Sequence, residues 1–444
     1  MIACAPFGTC ALAPIQARLP GLPPLREDAF ARVSGGQHHM GDNKMIKLWI
    51  STLALICAPA MATTQPAPIR IGVVGPFSGA HAQDVGESIR GGARVFADEV
   101  NRMGLLLGRR IELVERDSGG SVEQSEKLAR ELVEQERVVA VVGFDCPERA
   151  ARAAPVLQQA RTPLILSVTG SGELQQLGRV REGEPSFIFR VAGSETLQTE
   201  AMLRDLVDRR QLKAVAVLHA DTPEGEASKA RALAALQARG VKPVAVESFK
   251  PGSGRLTRAM FRIKAAEADA IAIYADAADA AAAVREIGKY KKWTPALAGT
   301  WALSQQSFIE AAGEAAEGVR SAVTFIEGEW RGPRRDFATA YRKLNQVQAI
   351  PSPVAAAQTY DALRLLYLAI FQANSVAGER IQVALDNLEL SARSTVATRY
   401  TKPFSPRDHE AIGPGMVAMA EIRNGRLTYA WPEDEAVIIQ LVKR

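Results

Sequence analysis

The sequence has few residues of the types that catalysis and metal binding use most. Its 444 residues include 5 histidines and 4 cysteines, and the histidines have no metal-ligand spacing. There is no Gly-Lys-Ser/Thr phosphate loop, no GxGxxG nucleotide fingerprint and no GxSxG nucleophile elbow. These absences argue against a zinc enzyme, a nucleotide-dependent enzyme and a serine hydrolase. We therefore expect no catalytic residue, no metal and no cofactor.

Basic residues are dispersed along the chain. The formal net charge is +5, from 54 Lys and Arg against 49 Asp and Glu, and the densest basic run, at 289–292, is short. Nucleic-acid-binding proteins present a basic stripe or a binding motif, and the sequence has neither. We expect no nucleic-acid partner.

Residues 45–62 have the pattern of a cleavable secretory signal peptide. A short basic start precedes an apolar core at 48–58, and Ala60 and Ala62 supply the small residues that cleavage requires. The apolar core is about half as long as a membrane-spanning helix, so a spanning helix is not expected. Lipidation of Cys57 is not expected either, because Ile56 stands before it where a small residue is normal. Export with cleavage after Ala62 would leave Cys146 as the single cysteine of the mature chain.

Residues 1–44 fit neither a targeting segment nor a domain. They are rich in Pro, Arg, Gly and Ala and show no apolar period. A signal peptide does not normally begin at residue 45, so we expect translation to start at Met45 or Met40. Residues 1–44 would then be an upstream extension outside the translated protein.

After residue 68 the apolar pattern alternates between strands and helices. One strand–helix run covers 69–167 and a second begins near residue 186. Such alternation predicts right-handed βαβ units and parallel sheets covered on both faces. We predict an α/β fold of two similar doubly wound lobes, with a C-terminal hairpin that turns at Asn424 and Gly425.

The predicted ligand-binding residues lie at the carboxyl ends of the strands. Ligands of doubly wound sheets bind beyond these ends. In the first half of the chain the rule selects the residues Phe77, Ser78, Gly79, Asp145, Cys146, Ser167, Thr169 and Ser171. In the second half it selects Glu224, Tyr274, Asp276 and Trp301.

Several motifs, taken in order, resemble the type I periplasmic binding proteins, and more closely their leucine/isoleucine/valine-binding branch. They are IRIGVVGPFSG, ARVFADEVN, IELVERDS, VVAVVGF, TPLILS, FIFRVAG, AAEGV and TYDALRLLYLAI. The resemblance covers residues 69–431. It implies two lobes joined by three crossings, near Val191, near Thr324 and at 404–415, with a ligand cleft between the lobes.

The resemblance also implies the division of the chain and its role. Lobe 1 would be 69–191 plus 325–403, and lobe 2 would be 192–324 plus 404–444. A monomeric periplasmic protein of this kind closes on a small solute and delivers it to an inner-membrane ABC permease. The turn at 76–79 would form one cleft wall, where a nearby helix N-terminus favours a carboxylate over a phosphate.

The sequence departs from the amino-acid-binding pattern at the cleft. Residues 144–148 read Phe-Asp-Cys-Pro-Glu where family members present a Ser-rich turn for the α-carboxylate. Glu224 stands where an aromatic residue is common, and Trp301 stands where an acid often binds the ammonium group. These departures leave the identity of the solute open.

Two classes of solute fit these residues. Trp301, with Phe77 or Tyr274, would stack a flat ligand such as an aromatic or other organic acid. Alternatively, acidic residues would favour a cationic or amide-bearing solute; they are Asp145, Glu148, Glu224 and Asp276.

Three other functions share the same predicted fold. A periplasmic sensor would present its loaded state to a membrane receptor. An enzyme on this scaffold would turn over the bound solute, and an envelope-assembly protein with a vestigial cleft would bind none. We expect the solute-binding component of an ABC importer, with the sensor as the alternative.

Overall fold

The computed structural model describes residues 66–119, 121–327, 332–388, 395–400, 402–435 and 442–443. The predicted signal peptide at 45–62 and the upstream segment 1–44 lie outside these residues. All described residues belong to one compact unit, Thr63–Arg444.

Strands and helices alternate along the described chain as the apolar pattern predicts. The strands are β1 Ile69–Gly75, β2 Ile111–Asp117, β3 Ala140–Gly143, β4 Leu164–Leu166, β5 Ile188–Arg190, β6 Val215–Ala220, β7 Ala245–Phe249, β8 Ala270–Tyr274, β9 Ala296–Gly299, β10 Arg320–Val323, β11 Arg399–Tyr400, β12 Ala418–Arg423, β13 Arg426–Tyr429 and β14 Val442–Lys443. The helices are α1 Glu87–Met103, α2 Val122–Glu134, α3 Pro147–Gln159, α4 Leu174–Gly178, α5 Glu195–Leu203, α6 Pro223–Ala238, α7 Thr257–Ala265, α8 Ala277–Gly288, α9 Gln306–Ala312, α10 Pro333–Asn345, α11 Pro353–Ala373 and α12 Gly378–Asp386.

The first sheet is parallel and has five strands in the order β2-β1-β3-β4-β5. Helices cover it on both sides, so β3 and β4 are buried along their whole length. Helices α1 and α11 pack against each other so closely that a Cβ on Gly92 would lie 2.4 Å from the carbonyl oxygen of Ala356. Glycine at this position allows the two helix backbones to meet.

The second sheet has seven strands in the order β13-β12-β10-β9-β8-β6-β7. The strands from β6 to β10 run parallel, whereas β12 and β13 are antiparallel additions at one edge. The β12–β13 turn has φ of 52° at Asn424 and 70° at Gly425, as a two-residue hairpin turn requires. The predicted hairpin and the predicted fold of two doubly wound α/β lobes are therefore confirmed.

Three segments of the chain pass between the two sheets. The first joins β5 to α5, the second leaves β10, and the third enters β12. Residues 404–412, which the sequence assigns to lobe 2, lie against β5 of the first sheet: Glu410 forms a parallel bridge with Arg190, and the rings of Phe404 and Phe189 lie 5.0 Å apart. We propose that the third crossing begins after these residues.

Helix α11 is the longest helix that the structure describes, and most of its residues are buried. Its apolar residues cover almost the whole circumference because it packs on both α1 and α12. Within the described part of the chain, neither this helix nor any other combines the length and the apolar character needed to cross a membrane.

Candidate functional site

A cleft with an empty volume of about 1110 Å³, part of it open to solvent, lies where the two sheets face each other. Its first wall consists of residues that follow β1, β3 and β4 of the first sheet. Its second wall consists of residues that follow β6, β8 and β9 of the second sheet. Both walls are thus built from the carboxyl ends of parallel strands, where doubly wound folds bind their ligands.

Most of the predicted ligand-binding residues line this cleft together. They are Asp145, Cys146, Thr169, Glu224, Tyr274, Asp276 and Trp301. Residues far apart in sequence meet here because each follows a strand whose carboxyl end points to the same space.

The turn at 76–79 does not line the cleft. Its backbone N–H groups at Phe77 and Ser78 donate to Asp117 Oδ1, at 2.9 and 3.2 Å. The Phe77 ring lies under the guanidinium of Arg90, 4.2 Å from its centroid, and Gly79 is exposed. The carboxylate that this turn binds is therefore one of the protein's own, and these donations hold the pKa of Asp117 below its ordinary value although burial opposes them. His81 and Val85 line the cleft in place of the predicted residues.

Ser167 and Ser171 are also outside the cleft lining. Ser167 is fully buried and accepts a hydrogen bond from Thr359 Oγ1 at 3.1 Å. The Ser171 hydroxyl donates to the carboxylate of Glu195. Thr169 does line the cleft, but its hydroxyl donates to the carbonyl of Phe144 at 2.7 Å. These hydroxyls shape the wall, since each is already bonded to the protein.

The turn after β3 holds an ion pair that faces the cleft. Asp145 Oδ2, just before α3, lies 2.5 Å from Arg149 Nη1, in the first turn of α3. Asp145 Oδ1 and Arg149 Nε are both buried and have no hydrogen-bond partner among the described residues. This ion pair therefore leaves one acceptor and one donor unsatisfied at the cleft wall.

Cys146 and Pro147 begin α3 without a side-chain cap. Cys146 is the N-cap residue, and Pro147 has no N–H to donate. Burial raises the pKa of the half-buried Cys146 thiol to about 12. The thiol is thus a neutral part of the wall and not a thiolate nucleophile.

In the opposite wall, Glu224 lies in the first turn of α6. Thr222 caps this helix by accepting from Gly225 N at 3.0 Å, and a Cβ at Gly225 would lie 2.0 Å from the carbonyl oxygen of Ala220. Only glycine allows this close approach, which fixes the start of the helix at the cleft. Burial raises the pKa of Glu224, and the charges of Glu148 and Asp145 raise it further.

Asp276 lies in the same wall of the cleft as Glu224, at the start of α8. Its side chain is exposed and caps the helix by accepting from Asp279 N at 2.8 Å. A second carboxylate oxygen remains for a ligand or for solvent.

Trp301 is the aromatic residue that faces the cleft from the end of β9. Its backbone N–H donates to Gln198 Oε1 at 3.1 Å, and Gln198 Nε2 donates to the carbonyl of Gly193 at 2.9 Å. Tyr274 also lines the cleft but is largely buried, and its hydroxyl donates to Thr199 Oγ1 at 3.2 Å. Burial raises the pKa of this hydroxyl to about 12. With Phe77 outside the cleft, a stacked pair of Trp301 and Phe77 does not form.

Sequence reasoning missed several polar residues of the cleft. Glu195 and Gln198 come from a helix that follows a crossing, whereas the rule applied to the sequence selects only residues after strands. The Glu195 carboxylate is held by Ser171, by Ser228 and by an ion pair with Arg231. Arg149 carried a signal that could have been used, since it stands one helical turn after Asp145.

A family model described as "Periplasmic binding protein" matches residues 68–426. An "Amino acid binding protein" of Pseudomonas aeruginosa is 29% identical over 228 residues, which are 51% of this chain and 59% of that relative. The "Leu/Ile/Val-binding protein BraC3" of Rhizobium johnstonii is 26% identical over 220 residues, 50% of this chain and 58% of that relative. The chain thus spans less than two thirds of the length of these curated relatives.

Solved structures of low sequence identity share the fold. A branched-chain amino acid transporter substrate-binding protein of Streptococcus pneumoniae, in complex with isoleucine, has a TM-score of 0.69 and 21% identity, covering 81% of this chain and 97% of that chain. A solute-binding protein of an ABC transporter of Rhodopseudomonas palustris, in complex with 3,4-dihydroxybenzoic acid, has a TM-score of 0.68 and 18% identity, covering 82% of this chain and 95% of that chain. The relatives that resemble this chain are solute-binding proteins and not enzymes. Because the family model covers most of the sequence, the chain belongs to the periplasmic binding protein family.

Proposed function

We propose that this protein is the solute-binding component of an ABC importer and that it closes on one small solute. The observation that carries the proposal is the cleft itself, with its two walls formed by the strand ends of two separate sheets. Polar side chains converge there from both walls, and Tyr274 and Trp301 add aromatic surface from the second wall, as in small-molecule sites. A solute held between two lobes is released when they separate, which suits a carrier.

The packing of the crossings supports closure by hinge rotation. A Cβ on Gly193 of the first crossing would lie 3.1 Å from Thr324 Cγ2 and 3.5 Å from Val417 Cγ2. The three crossings therefore meet at one place, next to Trp301 and Gln198 of the cleft. A rotation there needs backbone changes at only a few residues and moves each lobe as a body.

The proposed solute is small and polar, either amino-acid-like or an aromatic or other organic acid. The solved relatives in complex with isoleucine and with 3,4-dihydroxybenzoic acid represent these two classes. Cleft volume does not separate them, because both are small molecules. The charges of the cleft do separate them, because four of its lining residues are acidic.

The proposed location is the periplasm, reached through the signal peptide at 45–62, and the proposed partner is an inner-membrane ABC permease. The proposed carrier acts as a monomer. N-terminal sequencing of the exported protein tests the proposed signal peptide and its cleavage. A start at Thr63 supports cleavage after Ala62, whereas an intact Met1 contradicts both the cleavage and the internal start.

Native mass spectrometry of Thr63–Arg444, purified from the source periplasm without refolding, tests solute binding. Solutes often remain bound in such clefts, and a discrete added mass would identify the molecule. Small-angle scattering of the same sample, before and after the solute is removed, tests closure. An unchanged radius of gyration under saturating solute would refute hinge closure while leaving binding intact.

A further inference from the structure

The charged residues that line the cleft are mostly acidic. The acids are Asp145, Glu195, Glu224 and Asp276, against the single arginine Arg149 in the described lining. Arg149 is paired with Asp145, and Glu195 is paired with Arg231 from the second lobe. No basic side chain among the described residues lies within ion-pair distance of Glu224 or Asp276. The cleft therefore keeps a negative charge even after its ion pairs are counted as neutral.

The carboxylate of Asp145 is incompletely satisfied. Its side chain is 7% exposed, and Arg149 contacts only its Oδ2 atom. The other oxygen, Oδ1, is buried and has no hydrogen-bond partner in the described structure. A buried carboxylate oxygen without a donor is costly, so an N–H donor that enters the cleft gains a strong, charge-assisted hydrogen bond.

Glu224 lies on the opposite wall and interacts electrostatically with carboxylates of the first wall. Besides burial, the charges of Glu148 and Asp145 raise its pKa, which places these carboxylates from the two lobes within electrostatic reach of one another. Closure of the lobes would bring them closer and increase their repulsion. A positive group between them would remove this repulsion and make closure favourable.

An anionic group fits this position poorly. A carboxylate at the turn after β3 would face Asp145 and Glu224, and Pro147 offers no N–H at the start of α3. The unpartnered donor at this turn, Nε of Arg149, belongs to a guanidinium whose charge is already paired with Asp145. Trp301, in contrast, presents a half-buried indole to the cleft, and an indole face attracts cations as well as flat groups.

We propose that the solute presents a positively charged nitrogen group, an ammonium or an amidinium, between Asp145 and Glu224 and lays its remaining part against Trp301. This inference rests on the proposed solute-binding function and names the chemical class of its ligand. It selects the cationic class over the aromatic acids.

Three flat probes of equal size and different charge test the inference: benzamidine, benzamide and benzoate. Titration calorimetry on Thr63–Arg444 at pH 7.5 and low salt measures the affinity of each. We expect benzamidine to bind roughly tenfold to hundredfold more tightly than benzamide, since it adds charge-assisted hydrogen bonds. Benzoate should bind more weakly than benzamide. L-Arginine against L-citrulline repeats the comparison for a longer solute.

Two variants locate the cation. Glu224→Gln and Asp145→Asn should each weaken benzamidine binding about tenfold or more while changing benzamide binding little. The matched control is Glu226→Gln, on the same helix, whose carboxylate pairs with Lys229 outside the cleft lining. Equal effects of Glu224→Gln and Glu226→Gln would overturn the assigned position. Circular dichroism establishes that each variant is folded.

The outcomes separate this inference from the proposed function. Tight binding of benzoate, with no binding of the cations, would overturn the cationic class and leave solute binding intact. A retained anionic molecule in native mass spectrometry would do the same. If all five probes fail to bind at 10 mM and no solute is retained by the source protein, the proposed function is overturned together with the inference.

Discussion

Gly193 and Thr324 pack closely where two of the three crossings meet. A Cβ added to Gly193 would lie only 3.1 Å from Thr324 Cγ2. Gln358 of α11 reaches the same place. With its amide oriented to satisfy both ends, its nitrogen donates to Ser167 O at 2.7 Å, and its oxygen accepts from Thr324 Oγ1 at 2.8 Å. The proposed hinge is therefore packed and hydrogen-bonded, and changes to it should be measurable.

Gly193→Ala should destabilise the protein by about 1 kcal/mol, because the added methyl group crowds Thr324 in a packed region. Urea unfolding measures the change. Gly288→Ala is the control: a Cβ there would lie 3.6 Å from Ala315 Cβ, an ordinary contact, at the end of α8. It should be neutral or slightly stabilising. A Gly193→Ala variant as stable as the wild type would mean that the crossings are loosely packed.

Replacement of Trp301 by Ala should weaken benzamidine binding about tenfold, because the indole face is lost from the cleft. Trp301→Phe keeps an aromatic face and should lose much less. Calorimetry on both variants makes the comparison. Equal affinities for wild type and Trp301→Ala would exclude contact between the solute and this side chain.

Binding of benzamidine should release protons in mildly acidic solution. The pKa of Glu224 is raised above its ordinary value of 4.5, chiefly by burial and then by Glu148 and Asp145, so part of its population is protonated just above that pH. A cation favours the ionised form, so the affinity falls as the pH falls through this range. Calorimetry at a series of pH values from 4.5 upwards, in buffers of different ionisation enthalpy, measures the release, which should be absent in Glu224→Gln.

The stability of the fold should decrease between pH 3.8 and about pH 7 because of Asp361. This side chain accepts from Val396 N and Ala397 N at 2.7 and 2.8 Å, yet complete burial raises its pKa from 3.8 to about 7. The folded state holds a proton that the unfolded state has lost. The contribution of Asp361 to the free energy of unfolding is complete below about pH 3.8 and is lost as the pH rises through about 7.

Thermal unfolding of Asp361→Asn should show a weaker pH dependence than the wild type over this interval. The amide also loses one backbone hydrogen bond, so we expect a lower melting temperature at pH 5. Asp336→Asn, at an exposed position on α10, is the control and should retain the wild-type slope. An unchanged slope in Asp361→Asn would assign the pH dependence to other groups.

Cys146 should react slowly with thiol reagents in the folded protein. Burial raises the thiol pKa to about 12, so the thiolate fraction at pH 8 is small. In Thr63–Arg444 it is the single cysteine, so the reaction with a disulfide reagent reports on this site alone. The rate should rise on the order of hundredfold in urea. Equal rates in the folded and unfolded states would contradict the buried placement.

Much of this fold is readable from local patterns. The alternation of strands and helices from residue 69 onwards and the hairpin at Asn424 and Gly425 both lie where the sequence predicts them. Each depends on interactions within a few residues: an apolar period, and a turn that needs positive φ. The rule for strand ends then brought Asp145, Glu224 and Trp301 to the same cleft.

Hydrogen bonds between distant segments decided which predicted residues are free to meet a ligand. No local pattern indicates that the N–H groups of Phe77 and Ser78 are taken by Asp117, forty residues away, or that Ser171 is bonded to Glu195. The sequence determined which elements form and at which edge a ligand binds, because apolar periods and turn chemistry are local. Only the tertiary structure decided which polar groups remain free in the cleft, because each hydrogen bond made between distant segments removes one group from that set.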